Sequence, residues 1–228
     1  MEHTSAMKSF PTITQRQALQ ILREGNARFV AGNRHAHEFL TRVRETAENG
    51  QHPIATFLSC SDSRVPPEII FDQSIGDLFS VRVAGNICRD SQLGSIEFGV
   101  KYLETPLCVV LGHTQCGAVT AACTGQGLEE NIQALVQAIH PARERAQAST
   151  GKNGAEIIEV CCIENVFVQI ETMFKKSNVL RSAARQGELS VIGAVYDIET
   201  GLVTFLGSHP QNEWLIRDVG RTRRNADQ

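Results

Sequence analysis

No stretch of this sequence approaches the twenty consecutive apolar residues that a membrane-crossing helix needs, so a helical membrane protein is excluded. The first ten residues also lack the apolar core of a signal peptide, because Glu2, His3 and Lys8 interrupt them, and a cytoplasmic location is the expectation. An excess of charge of one sign is missing. The net charge is −3 and the basic residues are dispersed, which gives no footprint for nucleic acid or a membrane surface. Arg221, Arg223 and Arg224 near the end read as a solvated tail. There is no internal repeat and no low-complexity segment. An even complement of cysteines is lacking too. The seven are Cys60, Cys88, Cys108, Cys116, Cys123, Cys161 and Cys162, and an odd number without a secretion signal argues against a disulfide framework.

What is present suits one compact domain over residues 1–228, since 42% of the residues are apolar and Gly and Pro stand at ordinary levels. Between residues 14 and 30 the apolar positions Ala18, Leu19, Leu22, Ala27, Phe29 and Val30 recur at helical intervals, with Gly32 following. This predicts an amphipathic N-terminal arm (within 1–35) suited to packing on a partner subunit. Apolar runs at 54–58, 78–83, 107–111 and 189–195 predict strands, and helical patterns at 91–103, 117–123, 129–147 and 155–175 separate them. Strands without polar alternation, divided by helices, imply a mainly parallel α/β sheet covered on both faces. Residues 197–201 form a turn into a last strand at 202–206, antiparallel to its predecessor, and 208–228 is a tail.

In such sheets ligands collect beyond the carboxyl ends of the strands. The first strand leads directly into Cys60-Ser61-Asp62-Ser63-Arg64, and the third into His113-Thr114-Gln115-Cys116. Two polar clusters therefore leave parallel strands at one edge. Cys60, His113 and Cys116 offer two thiolates and an imidazole, a soft donor set that suits zinc and leaves a fourth position open. Asp62 is close enough in sequence to reach that position or a water bound there, and Arg64 can fix its carboxylate. Val65-Pro66-Pro67 stiffens the loop. Cys88, Cys123, Cys161 and Cys162 read as core or near-core thiols.

The stretches Cys60-Ser61-Asp62-Ser63-Arg64-Val65-Pro66-Pro67-Glu68 and Gly112-His113-Thr114-Gln115-Cys116-Gly117 together resemble the paired signature of the β-class carbonic anhydrases. The likeness runs from Glu24-Gly25-Asn26-Ala27-Arg28-Phe29 to about Gly207. It implies one zinc per subunit on Cys60, His113 and Cys116, with Asp62 and Arg64 as the catalytic pair and Asp62 a possible fourth ligand in a closed form. It also implies reversible hydration of carbon dioxide to bicarbonate, and dimers, joined across an N-terminal helical arm, that often associate into tetramers. The bicarbonate-regulated members resemble one another in a Trp three residues before the first zinc cysteine. Here Phe57 stands there, although Arg64 and Tyr196 match the other regulatory positions. Gln51, nine residues before Cys60, and Phe79 match the plant-like, open type, while Phe98 stands where a Tyr is common. A substrate pocket of Gln51, Val65, Phe79, Phe98 and the Gly117 N–H follows, with activity rising above neutral pH. His35, His37, His52, His140 and His209 are candidate proton relays. The competing readings are a carbonyl sulfide or carbon disulfide hydrolase on the same scaffold, and a non-catalytic zinc-binding subunit.

Overall fold

Every run read as a strand becomes one in the computed structural model, which describes residues 13–125 and 129–217. The strands are β1 (Ala55–Ser59), β2 (Leu78–Arg82), β3 (Leu107–His113), β4 (Ser190–Tyr196) and β5 (Val203–Gly207). They form one sheet in the order β2-β1-β3-β4-β5. The first four are parallel, and β5 closes one edge antiparallel to β4. The α/β class with a mainly parallel sheet is therefore the fold observed.

The absence of polar alternation has a direct cause, since consecutive strand residues enter different cores. Ala55, Phe57, Val109, Leu111, Ile192 and Ala194 belong to one cluster, packed with Ala18 and Leu22 of α1 (Gln15–Val30) and Ile70 of α3 (Pro67–Ile70). Leu58, Cys108, Val110 and Val191 belong to the other, with Leu93, Ile96 and Val100 of α4 (Asp90–Tyr102) and Val166, Ile170 and Phe174 of α8 (Ile158–Lys176). Strand β3 is buried along its whole length. Each of its Leu and Val side chains contributes about 1.5–3 kcal/mol by leaving water. A third cluster lies beyond the strand ends, where Cys60, Cys116 and Val119 meet Ile139, Ile157 and Cys162.

Helix α1 begins at a capping box, in which Thr14 accepts from the Gln17 N–H and the Gln17 side chain accepts from the Thr14 N–H. Its buried residues, Ala18, Leu22, Gly25 and Asn26, pack on its own chain. The apolar face left uncovered belongs instead to α2 (Phe39–Asn49), whose Phe39, Leu40 and Val43 are all exposed. A buried carboxylate, Asp72, ties this region down. It accepts from Arg28 Nε (2.6 Å), His37 Nε2 (3.0 Å) and the backbone N–H of His35 (3.2 Å). Burial pushes its pKa up, but these donors outweigh that and hold it at about 2.

Two helical stretches differ from expectation. Residues 129–147 form no single helix but α6 (Glu130–Val136), a 3-10 turn at Gln137–Ile139 and α7 (His140–Thr150). Pro141 explains the break, because its ring and missing N–H cannot continue a helix already under way, whereas they fit the first turn of a new one. The 155–175 pattern starts as a 3-10 turn, Gly154–Ile157, before α8. Helix α5 (Gly117–Thr124) lies where expected. Four short helices, α2, α3, α9 (Asn178–Arg185) and α10 (Asn212–Ile216), were not anticipated. The expected tail is partly structured, because Leu215 of α10 is buried in the core beside α8 and α9. Arg221, Arg223 and Arg224 lie outside the described residues. Among the described residues, no helix is long and apolar enough to cross a membrane.

Candidate metal centre

Strands β1 and β3 are neighbours in register, with Ser59 opposite Leu111, so Cys60 and the end of β3 emerge side by side. His113 is the last residue of β3, and Cys116 is the N-cap of α5. Between them the chain turns sharply at Gln115, which has a positive φ of 55°. That turn is anchored on the far side. The Thr114 N–H donates to Tyr196 O (3.0 Å), the Ile198 N–H donates to Thr114 Oγ1 (3.1 Å), and Gln115 Nε2 donates to Glu199 (2.6 Å). Gly112, just before His113, permits α8 to come close, because a Cβ there would lie 2.8 Å from Val166 Cγ2.

The result is convergent. The ligand atoms of Cys60, His113 and Cys116 lie within 4.8 Å of one another, and the three residues are buried. Among the described residues this is the one cluster of three such donors able to hold a metal ion. His113 Nδ1 donates to Thr114 O at 2.8 Å, which fixes the tautomer and leaves the Nε2 lone pair free. That Nε2 is fully buried and has no hydrogen-bond partner. A buried acceptor left unmatched is costly, and a metal ion beside two thiols resolves it. These residues fit zinc. The Cys116 thiol, 4.0 Å away, donates to Cys60, and with the N–H groups of Asp62 (3.4 Å) and Gly85 (3.3 Å) it holds Cys60 below the ordinary thiol range.

Asp62 sits at the rim of this cluster, with Oδ2 4.0 Å from His113 Nε2. Arg64 grips it three times. Its backbone N–H (2.9 Å) and Nε (3.0 Å) donate to Oδ1, and Nη2 (2.8 Å) donates to Oδ2. The Arg64 guanidinium thus keeps Asp62 well below the usual carboxylate range. Arg82, unremarked in the sequence, holds the backbone of the same loop through Cys60 O (3.1 Å) and Asp62 O (2.7 Å). It ends β2 at the edge where β1 and β3 end, and that placement was the signal available for it.

The expected pocket residues divide into two groups. Val65 is fully buried against Phe57, Ile70 and Leu111, and its N–H closes the turn onto Asp62 O (3.0 Å). Gly117 opens α5 next to Cys116 and is exposed. Gln51, Phe79 and Phe98 lie elsewhere. Phe79 pairs with Thr56, four residues before Cys60, which puts it about 13 Å back along the sheet. It stacks on Phe98 (centroids 6.1 Å), which touches Tyr102 (5.2 Å), and both Phe98 and Tyr102 are exposed beside the open edge of β2. Gln51 is exposed ahead of β1. Phe57, at the regulatory Trp position, is buried and packs on Phe71 at 5.1 Å. Of the relay candidates, His35 and His37 surround Asp72, and His209 is buried between Glu171 Oε1 (3.1 Å) and the Gln211 N–H (3.0 Å). Cys88, Cys123, Cys161 and Cys162 are buried, as expected, and burial pushes Cys88 and Cys162 up to about 12.

Known proteins are similar to this chain in sequence and fold. The carbonic anhydrase family model matches residues 55–203. Carbonic anhydrase 2 of Mycobacterium tuberculosis is 34% identical over 188 residues, covering 81% of this chain and 89% of the relative. A carbonic anhydrase of Mycolicibacterium smegmatis is 35% identical over 199 residues, covering 84% and 93%. Among solved structures, the β-carbonic anhydrase CafA of Aspergillus fumigatus is 28% identical, with a TM-score of 0.69 over 87% of this chain and 93% of that one.

Proposed function

This chain belongs to the β-carbonic anhydrase family, and on that premise we propose that Cys60, His113 and Cys116 bind its zinc while Asp62 and Arg64 direct the reaction. The protein is a zinc enzyme that catalyses the reversible hydration of carbon dioxide to bicarbonate and a proton. Zinc supplies a Lewis acid that makes a bound water nucleophilic near neutral pH. The observation that carries the residue assignment is the position of Asp62, ionised and clamped by Arg64, at the rim of the converging donors. Asp62 accepts a hydrogen bond from the attacking oxygen and aims it, and Arg64 keeps the carboxylate charged and in place. Gly117, at the start of α5, offers its N–H to a substrate oxygen. The three-point grip of Arg64 favours an open site over one closed by Asp62. Phe57 in place of the regulatory Trp supports the same plant-like type.

The substrate pocket is completed by a second copy of the chain. Phe79 stands about 13 Å back along the sheet from its own metal centre, on the edge strand β2 and half-buried, with the exposed Phe98 stacked on it, and the exposed Gln51 precedes β1. The exposed apolar residues of α2 extend that surface, as an isologous dimer interface requires. Tetramers formed from such dimers, and one domain spanning the chain, belong to the same reading. Two cysteines that must stay reduced to bind metal suit a cytoplasmic setting.

A mixing experiment tests this arrangement. Asp62→Ala and Phe79→Ala are each expected to be slow, but after dissociation and reassociation together they should recover roughly a quarter of the parental rate. In a mixed dimer one site then has both an intact Asp62 and its partner's intact Phe79. A mixture no faster than the mean of its components would mean that each chain builds its pocket alone.

A further inference from the structure

Two amide side chains lie deep in the core of α8. Asn165 and Gln169 are fully buried, one helical turn apart, on the face that also carries Val166 and Ile170. Polar groups are placed there at a cost unless every one is paired. These are paired, and their bonds converge on one loop. Asn165 Nδ2 donates to Gly85 O (2.8 Å). Gln169 Nε2 donates to Asn165 Oδ1 (2.9 Å) and to Ala138 O (3.3 Å), while Gln169 Oε1 accepts from the Cys88 N–H (2.8 Å). The network thus grips the 85–88 loop at both ends.

The loop reaches the metal centre through a hydrogen bond, the Gly85 N–H donating to Cys60 Sγ at 3.3 Å. Gly85 holds a φ of +72°, and a Cβ there would lie 2.8 Å from Ile139 Cδ1 and 3.1 Å from Ala118 Cβ, so only glycine fits. Because the N–H and the C=O of Gly85 belong to different peptide units, Asn165 does not polarise that N–H directly. It fixes the following peptide plane and so prevents the N–H from turning away.

We propose that Asn165, braced by Gln169, is a positioning residue for the metal ligand Cys60, keeping the Gly85 N–H on its sulfur and limiting the charge that sulfur gives the metal. The inference rests on Cys60 being a zinc ligand, as read above. Hydrogen bonds to a metal-bound sulfur tune its donor strength, and losing such outer partners changes metal affinity by about 10- to 100-fold.

Cobalt(II) exchanged for zinc in the full chain reports on the sulfur through its thiolate-to-metal absorption band. In Asn165→Leu, of similar size but with no donor, the band should move to longer wavelength, and the zinc affinity read by chelator competition should change by about tenfold or more. Gln169→Leu should do the same to a smaller degree, and it decides the matter if Asn165→Leu does not fold. Met173→Ala, which opens the same core without touching the loop, should move neither readout. A band and a zinc affinity equal to the parent's, in either amide variant that folds, overturn the proposal. Cys60→Ser separates the two levels. A parental band that it leaves untouched removes Cys60 from the metal and the underlying reading with it. A band that responds to Cys60→Ser but not to the amide variants sinks the positioning role alone.

Discussion

Asp62→Asn, loaded with zinc, is expected to hydrate carbon dioxide about 10²- to 10⁴-fold more slowly than the parent while retaining its metal. The asparagine keeps the size of the side chain and can keep an oxygen facing the Arg64 guanidinium. It loses the charge that Arg64 stabilises and turns one acceptor into a donor, so the attacking oxygen meets the wrong partner. Metal binding should be spared, because Asp62 Oδ2 lies at the rim, 4.0 Å from His113 Nε2, and is not one of the three converging ligands. Stopped-flow hydration beside zinc analysis measures both. The rate loss should appear mainly in kcat, since the carboxylate acts on the reacting oxygen and not on substrate entry.

Removing a ligand has a different signature. His113→Ala should lower zinc content from about one ion per chain toward zero and bring hydration down to the buffer background. Its imidazole is the one nitrogen donor of the group, and two thiols alone leave the metal half-ligated. The fold should survive. His113 pairs with Tyr196 through backbone bonds that the substitution leaves in place, and the flanking strand residues stay buried. An unchanged far-UV circular dichroism spectrum with lost metal would separate this loss from unfolding.

Much of this was legible in the sequence because the chemistry follows directly from strand ends. The runs at 54–58 and 107–111 predict parallel neighbours, and whatever follows each of them must share an edge. That logic places Cys60 beside the His113–Cys116 turn without further information. The Asp62–Arg64 pair was legible for the same reason, being two residues apart on one stiffened loop. Other features depend on contacts that no local pattern carries. Helix α2 has a short apolar stripe, Phe39, Leu40 and Val43, at helical spacing, but within 11 residues of mostly polar sequence it is brief, and it buries none of its residues in this chain. Gln51, Phe79 and Phe98 were singled out only through resemblance, and the place of Phe79 on the edge strand, with Phe98 stacked on it, emerges from register and packing. The clamp on Gly85 came from α8, some eighty residues downstream. Its one visible trace was a polar pair, Asn165 and Gln169, set four apart within an otherwise apolar helical face. In the stretch 129–147 the proline was the decisive residue, and periodicity alone overrode it.

The most direct test is stopped-flow hydration of carbon dioxide by the zinc-loaded protein from pH 6.5 to 9. Asp62 is held far below this range, so it stays ionised throughout and contributes no step of its own. Two thiolate ligands donate more charge than imidazoles, which places the controlling ionisation above the value of about 7 found with three imidazoles. Fast turnover that climbs smoothly with pH across the window is the predicted result. Absence of turnover at every pH, with zinc still bound, would contradict it.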